Sequence, residues 1–167
     1  ALNKKLKLQT FNDKKNNFKI ISHGFRGETQ FLKIKHNNLI RNINLNLIGK
    51  IQLKNVLMAI IAAKNSYLSL NKILNIIPKL KPVEGRLESV GKIKNFSKVI
   101  LDYAHTPDAL KICLLNLKEQ FPNKKITLLF GCGGNRDQNK RSKMGKIACN
   151  YADNIILTND NPRFENP

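Results

Sequence analysis

Tryptophan is absent from this chain, and cysteine and carboxylates are scarce. Each gap excludes something. The 3 cysteines, Cys113, Cys132 and Cys149, are odd in number, widely spaced and without a C-x-x-C pair. Neither a disulfide framework nor a zinc site is expected from them, and they read as reduced thiols. No apolar run approaches the roughly eighteen residues that a membrane-spanning helix needs. The opening Ala1-Leu-Asn-Lys-Lys-Leu has no apolar signal core and no small-residue cleavage site, so a cytoplasmic setting is expected. Acidic residues number 11 against 30 lysines and arginines, a net charge of +19 that invites a nucleic-acid partner. The lysines are scattered along the chain, however, and no aromatic-basic motif accompanies them. Lys, Asn and Ile are abundant together, which fits a compositional bias better than a binding face. A basic nucleic-acid-binding module therefore stands only as the alternative from a different class. Anionic small substrates suit the same charge.

What is present is ordinary for a globular protein: 41% hydrophobic and 25% charged residues over 167 positions, enough for one domain or two partial ones. The first fifty or so residues suggest strands at Phe18 to Ile21, Thr29 to Ile34 and Asn42 to Ile48, broken at Gly24, Gly27 and Asn37-Asn38. After Gly49 the period changes. Leu53, Val56, Leu57 and Ile60 stand at i, i+3, i+4 and i+7, the stripe of an amphipathic helix. A second helix is expected from about Ser69 to Ile77, stopping near Pro78. Lys81-Pro-Val-Glu-Gly-Arg86 is a plausible domain boundary. Beyond it the order is strand (Lys98 to Leu101), helix, strand (Ile126 to Phe130), helix, strand (Asn154 to Thr158). Thr106, Pro107 and Asp108 open the first of these helices as N-cap, first-turn proline and dipole-matched acid. Leu110, Cys113, Leu114 and Leu117 supply its apolar stripe; Met144, Ile147, Ala148 and Tyr151 supply that of the next. Two βαβ units imply an α/β fold with a mainly parallel sheet.

The polar clusters follow the strands. Asp102-Tyr-Ala-His-Thr-Pro follows the first, Gly131-Cys-Gly-Gly-Asn-Arg-Asp the second, and Asn159-Asp-Asn-Pro-Arg163 the third. In an open parallel sheet, loops at the carboxyl ends of strands line the ligand crevice. Each cluster also has a plain structural reading. Gly131, Gly133 and Gly134 could permit a tight turn with positive φ, or could expose N–H groups to an anion. His105 could cap or pack, and Asp102 could be a turn residue. The glycine spacing matches neither common nucleotide fingerprint.

Taken together, these segments resemble the Mur ligase family, in particular its UDP-N-acetylmuramoyl-tripeptide synthetases. The resemblance rests on Leu47-Ile-Gly with Asn55-Val-Leu, Glu84-Gly-Arg-Leu-Glu-Ser-Val90, Leu101-Asp-Tyr-Ala-His-Thr-Pro-Asp-Ala-Leu110, Phe130-Gly-Cys-Gly-Gly-Asn-Arg-Asp137, Lys140-Arg141, Met144-Gly145 and Asp160-Asn-Pro-Arg163. It runs from about residue 18 to the end. The family has three domains. The resemblance implies that residues 1–82 are the end of the central ATPase domain and 83–167 a truncated, Rossmann-like C-terminal domain. The family's P-loop lysine, magnesium ligands, carbamylated lysine and UDP-sugar-binding domain have no match here. No catalytic residue is therefore assigned, and activity is not expected from this chain alone.

The resemblance further implies ATP and Mg2+ as cofactors, with the magnesium ligands outside this chain. It implies an acyl-phosphate route: ATP phosphorylates the terminal carboxylate of UDP-N-acetylmuramoyl-L-alanyl-D-glutamate, and the incoming amine displaces phosphate. Asn55 resembles the adenine-contacting asparagine. Arg86 and Asp102 resemble the pair that meets the phosphates and ribose, with His105 beside them. Ile51-Gln52 depart from the family's Phe-Asn near the adenine. Asp160, Asn161, Pro162 and Arg163 match the motif of enzymes that add meso-2,6-diaminopimelate, with Arg136 from the glycine loop. An extra carboxylate distinguishes diaminopimelate from lysine, and a guanidinium answers it with a bidentate pair. Lysine-adding, folylpolyglutamate-type and cyanophycin-type ligases are the alternatives within the superfamily, and Asp160-Asn-Pro-Arg163 disfavours them. Neither a nucleic acid nor a membrane is expected as partner, and the expected state is monomeric.

Overall fold

The computed structural model describes residues 18–166. Expectations placed on residues 1–17, the missing signal core among them, lie outside the described residues. The chain divides into two compact units between Pro82 and Val83. Among the described residues, no helix is long and apolar enough to cross a membrane.

The first unit is an antiparallel meander with a helical layer. Strands β1 (Phe18–Arg26), β2 (Thr29–His36) and β3 (Leu39–Leu45) pair in sequence order. Side chains alternate across a pleated strand, so Gln30, Leu32, Ile34 and His36 of β2 point inward while Phe31, Lys33 and Lys35 face out. Gly27 (φ 58°) and Asn37 (φ 53°) take the left-handed conformations of the two turns. Gly24, expected to break a strand, lies within β1 opposite Phe31; extended backbone with a ladder on one side accepts glycine. β3 begins and ends earlier than the residue pattern implied. Leu47 and Ile48 are buried in the turn that follows it. That turn is fastened from inside. The fully buried Gln30 donates from Nε2 to the carbonyls of Leu47 (2.7 Å) and Gly49 (3.0 Å), and its Oε1 lies 2.9 Å from His23 Nε2. Helix α1 (Lys50–Asn65) buries Leu53, Val56, Leu57 and Ile60, the stripe read from spacing. Helix α2 (Leu70–Ile76) is capped by Ser69, whose hydroxyl accepts from Lys72 N, and runs into a short 3-10 turn at Ile77–Lys79.

The second unit has the expected strand–helix alternation. β4 (Glu88–Lys92) and β5 (Lys98–Leu101) form an antiparallel pair. Helix α3 (Pro107–Gln120), β6 (Thr127–Phe130), α4 (Asn139–Tyr151) and β7 (Asn154–Leu157) follow, with β6 and β7 parallel. Thr106 caps α3 through Ala109 N, with Pro107 in the first turn, as the residue types implied. Leu110, Leu114 and Met144 form the centre of the core, joined by Ile126, Leu128, Phe130 and Ile147. The hydrogen-bonded pairing differs from one continuous parallel ladder. Among the described residues only β6 and β7 pair in parallel, and β5 takes β4 as its partner. β4 was not read as a strand, because Gly91 and Lys92 interrupt the β-branched pattern that marks one.

Candidate functional site

The post-strand loops of the second unit are tied together in two steps. The first step fastens Gly85–Leu87 to the end of β5. Tyr103 N donates to the Gly85 carbonyl at 2.7 Å, and Leu87 N donates to Asp102 Oδ2 at 2.9 Å. Gly85 (φ 64°) and Leu87 (φ 48°) both adopt left-handed backbone there. An isolated leucine in that region is costly, and the bond from its N–H to a carboxylate, together with burial of its side chain, offsets the cost. The result lays the Arg86 guanidinium over the Tyr103 ring, 5.0 Å from its centre, a cation–π contact. His105 packs on the same tyrosine, its ring 5.0 Å from that of Tyr103 in an edge arrangement. His105 Nδ1 lies 3.1 Å from the Tyr103 carbonyl oxygen. A carbonyl can only accept, so Nδ1 carries the proton of that bond and Nε2 faces away from it.

The second step joins the loops after β6 and β7. Gly134 N donates to the Asn161 carbonyl at 2.8 Å, and Arg163 Nη1 donates to the Gly134 carbonyl at 2.7 Å. Asn135 Oδ1 accepts from Phe164 N, and Asn161 Oδ1 accepts from Arg163 N. The glycines are explained by this approach. A Cβ on Gly131 would overlap the Thr158 carbonyl oxygen, and one on Gly134 would overlap that of Pro162. None of Gly131, Gly133 and Gly134 has positive φ; the left-handed residues are Asn135 (φ 50°) and Arg163 (φ 52°). Close backbone contact, rather than turn geometry, requires Gly131 and Gly134, whereas a Cβ on Gly133 would meet the Arg163 Nη1 side-chain atom at 2.9 Å.

Helix α4 connects the two halves. Lys140 Nζ donates to the His105 carbonyl at 2.9 Å, and Arg141 Nη2 pairs with Glu165 Oε2 at 2.6 Å. Glu165 Oε1 also accepts from Asn135 N at 2.8 Å. The Arg141 bond, followed by the Asn135 N–H, holds the Glu165 carboxyl below the usual carboxylate range. A recess of about 220 Å3 opens beside these loops, with Cys132, Gly134, Arg141, Asp160 and Glu165 among its walls. Cys113 of α3 is inert by comparison: burial, with the Asp102 charge adding to it, pushes its thiol up to about 12.

The candidate residues thus fall into three groups. Arg86, Asp102 and His105 share one tyrosine-centred cluster. Arg136, Asp160, Asn161, Pro162 and Arg163 belong to the two interlocked loops, where Arg136 is exposed and Asp160 Oδ1 accepts from Asn161 N. Asn55 lies in the first unit, exposed on α1, with its Nδ2 3.4 Å from Gln52 Oε1. Tyr103, Lys140, Arg141 and Glu165 were not assigned roles from sequence. The signal was there for two of them. Lys140 and Arg141 open α4 with no acidic residue in its first turn, against the sign that the helix dipole favours.

Comparison with known proteins bears on the same segments. Residues 85–167 match the Mur ligase, glutamate ligase domain. The chain belongs to the Mur ligase family. Curated Mur ligases similar to it include the UDP-N-acetylmuramoyl-L-alanyl-D-glutamate–2,6-diaminopimelate ligase of Rickettsia typhi, 40% identical across 91% of this chain and 32% of its own length. The protein of that name from Blochmanniella floridana is 47% identical across 75% of this chain and 25% of its own. A solved structure of a ligase with the same name is 30% identical, with a TM-score of 0.67 over 94% of this chain and 32% of that one. The UDP-N-acetylmuramate–alanine ligase of Thermotoga maritima aligns with a TM-score of 0.71 over 88% of this chain and 33% of its own, at 23% identity, a likeness of fold alone. The chain spans about a third of the length of the curated Mur ligases it matches.

Proposed function

We propose that this chain is the part of an ATP-dependent ligase that closes on the nucleotide and presents the amino-acid substrate, meso-2,6-diaminopimelate, to UDP-N-acetylmuramoyl-L-alanyl-D-glutamate. In this reading residues 1–82 end the ATPase domain, 83–167 belong to the C-terminal domain, and the protein works in the cytoplasm as a monomer on small molecules. The observation that carries it is the joining of the loops that bear Arg136 and Arg163 through Gly134. A dicarboxylic, diamino substrate needs guanidinium groups held at fixed separation for its distal carboxylate. One bond to the Gly134 carbonyl engages one N–H of Arg163, and a guanidinium carries five. Arg136 is exposed, and among the described residues no group takes its N–H donors. Asp160 suits an ammonium of the same substrate.

The tyrosine cluster suits the nucleotide. Arg86 carries fixed positive charge for phosphate, Asp102 has an acceptor oxygen beyond the one used by Leu87 N, and His105 has Nε2 to offer. Asn55 would meet the adenine. ATP supplies the phosphoryl group that turns the substrate carboxylate into an acyl phosphate, and the amine then displaces phosphate through a tetrahedral intermediate. Bringing the two reactants to fixed geometry is the contribution asked of these loops. Among the described residues no group of three or more His, Cys, Asp or Glu side chains could hold a metal ion.

The test is ligation by the whole polypeptide that carries this chain, with diaminopimelate and lysine offered separately and in competition. Preferential use of diaminopimelate, lost on Arg163→Ala and Arg136→Ala, is expected. Lysine as the preferred substrate sinks the reading.

A further inference from the structure

Glu165 lies outside the residues assigned to any ligand, yet three donors converge on its carboxylate. Oε2 takes Arg141 Nη2 at 2.6 Å, and Oε1 takes Asn135 N at 2.8 Å and Gln138 Nε2 at 3.4 Å. Its own N–H donates to the Pro162 carbonyl at 3.0 Å. These contacts straddle Arg136. Asn135 precedes that residue, Gln138 follows it by two positions, and Arg141 lies on the first turn of α4. Arg163 stands two residues before Glu165 on the opposing loop. One carboxylate therefore fastens both sides of the Arg136 loop to the loop that carries Arg163.

We propose that Glu165 is a positioning residue: it sets the separation of the Arg136 and Arg163 guanidinium groups and so the acceptance of a substrate with a distal carboxylate. This rests on the diaminopimelate reading. Arg136 is exposed and donates to no group among the described residues, so nothing on its own side chain fixes it. Its loop is held instead, by the backbone bond at Asn135 N and the side-chain contact at Gln138 Nε2. Gly134 to Asn161 supplies a second tie on the same loop, but that tie lies on the far side of Asn135. Without Glu165 the stretch from Asn135 to Arg141 would keep, among the described residues, the single side-chain link from Asn135 Oδ1, which accepts from Phe164 N on the opposite loop. Arg141 would then add an unpaired cation beside the recess, competing for the substrate carboxylate that Arg136 and Arg163 should hold.

Two substitutions separate the parts of this role. Glu165→Gln keeps an oxygen for Asn135 N–H and removes the charge that Arg141 needs; Glu165→Ala removes both. The measurement is steady-state ligation by the whole polypeptide, with KM read separately for diaminopimelate and for ATP, and thermal unfolding of each variant alongside. For Glu165→Ala a rise in KM for diaminopimelate of roughly tenfold or more is expected, the scale of losing charge-assisted hydrogen bonds. KM for ATP stays within about twofold. Glu165→Gln lies between the two, and pimelate, which keeps both carboxylates but lacks the amines, inhibits the variants less than the unaltered enzyme. An equal rise in both KM values, or a loss of kcat with KM for diaminopimelate unchanged, overturns the role. If the unaltered enzyme uses lysine and not diaminopimelate, the parent reading falls and this role with it. If it uses diaminopimelate and Glu165→Ala does so equally well, this role alone falls.

Discussion

Gly134→Ala is the substitution that tests the site's architecture most directly. A Cβ at this position would overlap the Pro162 carbonyl oxygen and lie 2.6 Å from its carbonyl carbon and 3.1 Å from its Cα. All three are backbone atoms, so no side chain can swing aside and the two loops must part. Parting them breaks Gly134 N to Asn161 O, a neutral bond worth about 1 kcal/mol net, and weakens Arg163 Nη1 to Gly134 O, a part-buried bond worth about 1.5 kcal/mol for a charged donor. Against this, alanine restricts the unfolded chain and returns about 0.5 kcal/mol. Gly134 has no positive φ, so no conformational penalty is added. The sum is a loss of about 2 kcal/mol, the scale of the two bonds at stake. Gly145→Ala is the control. It lies inside α4, with nothing within 4 Å of an added Cβ, and removing a mid-helix glycine stabilises by about 0.5–1 kcal/mol. Urea unfolding followed by circular dichroism, with hydrogen exchange at the Gly134 and Asn135 amides, reads both. A Gly134→Ala chain as stable as the unaltered one, with the residue 134 amide still protected, would refute the close-approach account.

Gln30→Leu keeps the volume of a fully buried side chain but removes the amide donor from the Leu47 carbonyl and from the Gly49 carbonyl, the second of which still accepts from Gln52 N, and a loss of about 1–3 kcal/mol in the first unit is expected by denaturant unfolding; wild-type stability overturns it. His36 is buried against Phe18, with ring centres 4.2 Å apart, and burial, then the Lys64 charge, lowers its pKa from 6.5. The unfolded chain therefore binds a proton near pH 6.5 that the folded one resists, so this stability is full above about 6.5 and is lost as pH falls through the folded value. A melting profile between about pH 7.5 and 5 should slope downward toward acid and flatten in His36→Phe; equal slopes refute it. The exposed Cys149 should react with a thiol reagent at about pH 8 well before Cys113, whose thiol is held up at about 12; comparable rates refute that. Arg136→Ala should leave stability within about 0.5 kcal/mol, whereas Arg163→Ala should cost about 1–2 kcal/mol because it removes the donor to the Gly134 carbonyl. The reverse order, measured by urea titration, sinks that distinction.

Where burial and periodicity coincide, the residues alone were enough. The α1 stripe of Leu53, Val56, Leu57 and Ile60 is the buried face, and the Thr106–Pro107–Asp108 start of α3 is a local matter of capping. Pairing is not local, and there the pattern fell short. Lys98 to Leu101 looks the same whether its partner is parallel or antiparallel. The partner β4 carries Gly91 and Lys92 in place of β-branched residues, and a register shift between Ser89 and Gly91 blurs its alternation further. Asn154 to Leu157 pairs in parallel with β6, as the strand–helix alternation implied, and parallel strands are usually covered on both faces, yet Ile156 is 51% exposed and Leu157 72%. Burial depends on what covers a strand, and a strand's own residues do not encode that.

For the site, residue type identified the loops but not the bonds between them. A run of glycines admits at least three explanations, and only the distance to Pro162 and Thr158 selects one. Lys140 and Arg141 offered a better clue than any glycine. Cations in the first turn of a helix oppose its dipole by a few tenths of a kcal/mol each, so their presence requires partners from elsewhere in the fold. The partners are the His105 carbonyl, 35 residues away, and Glu165, 24 residues away. An electrostatic misfit in a local element is thus a pointer to a long-range contact. In this unit the two misfits point to the two loops that flank the candidate ligand groups, which is why the helix between them belongs to the site even though it supplies no group assigned to a ligand.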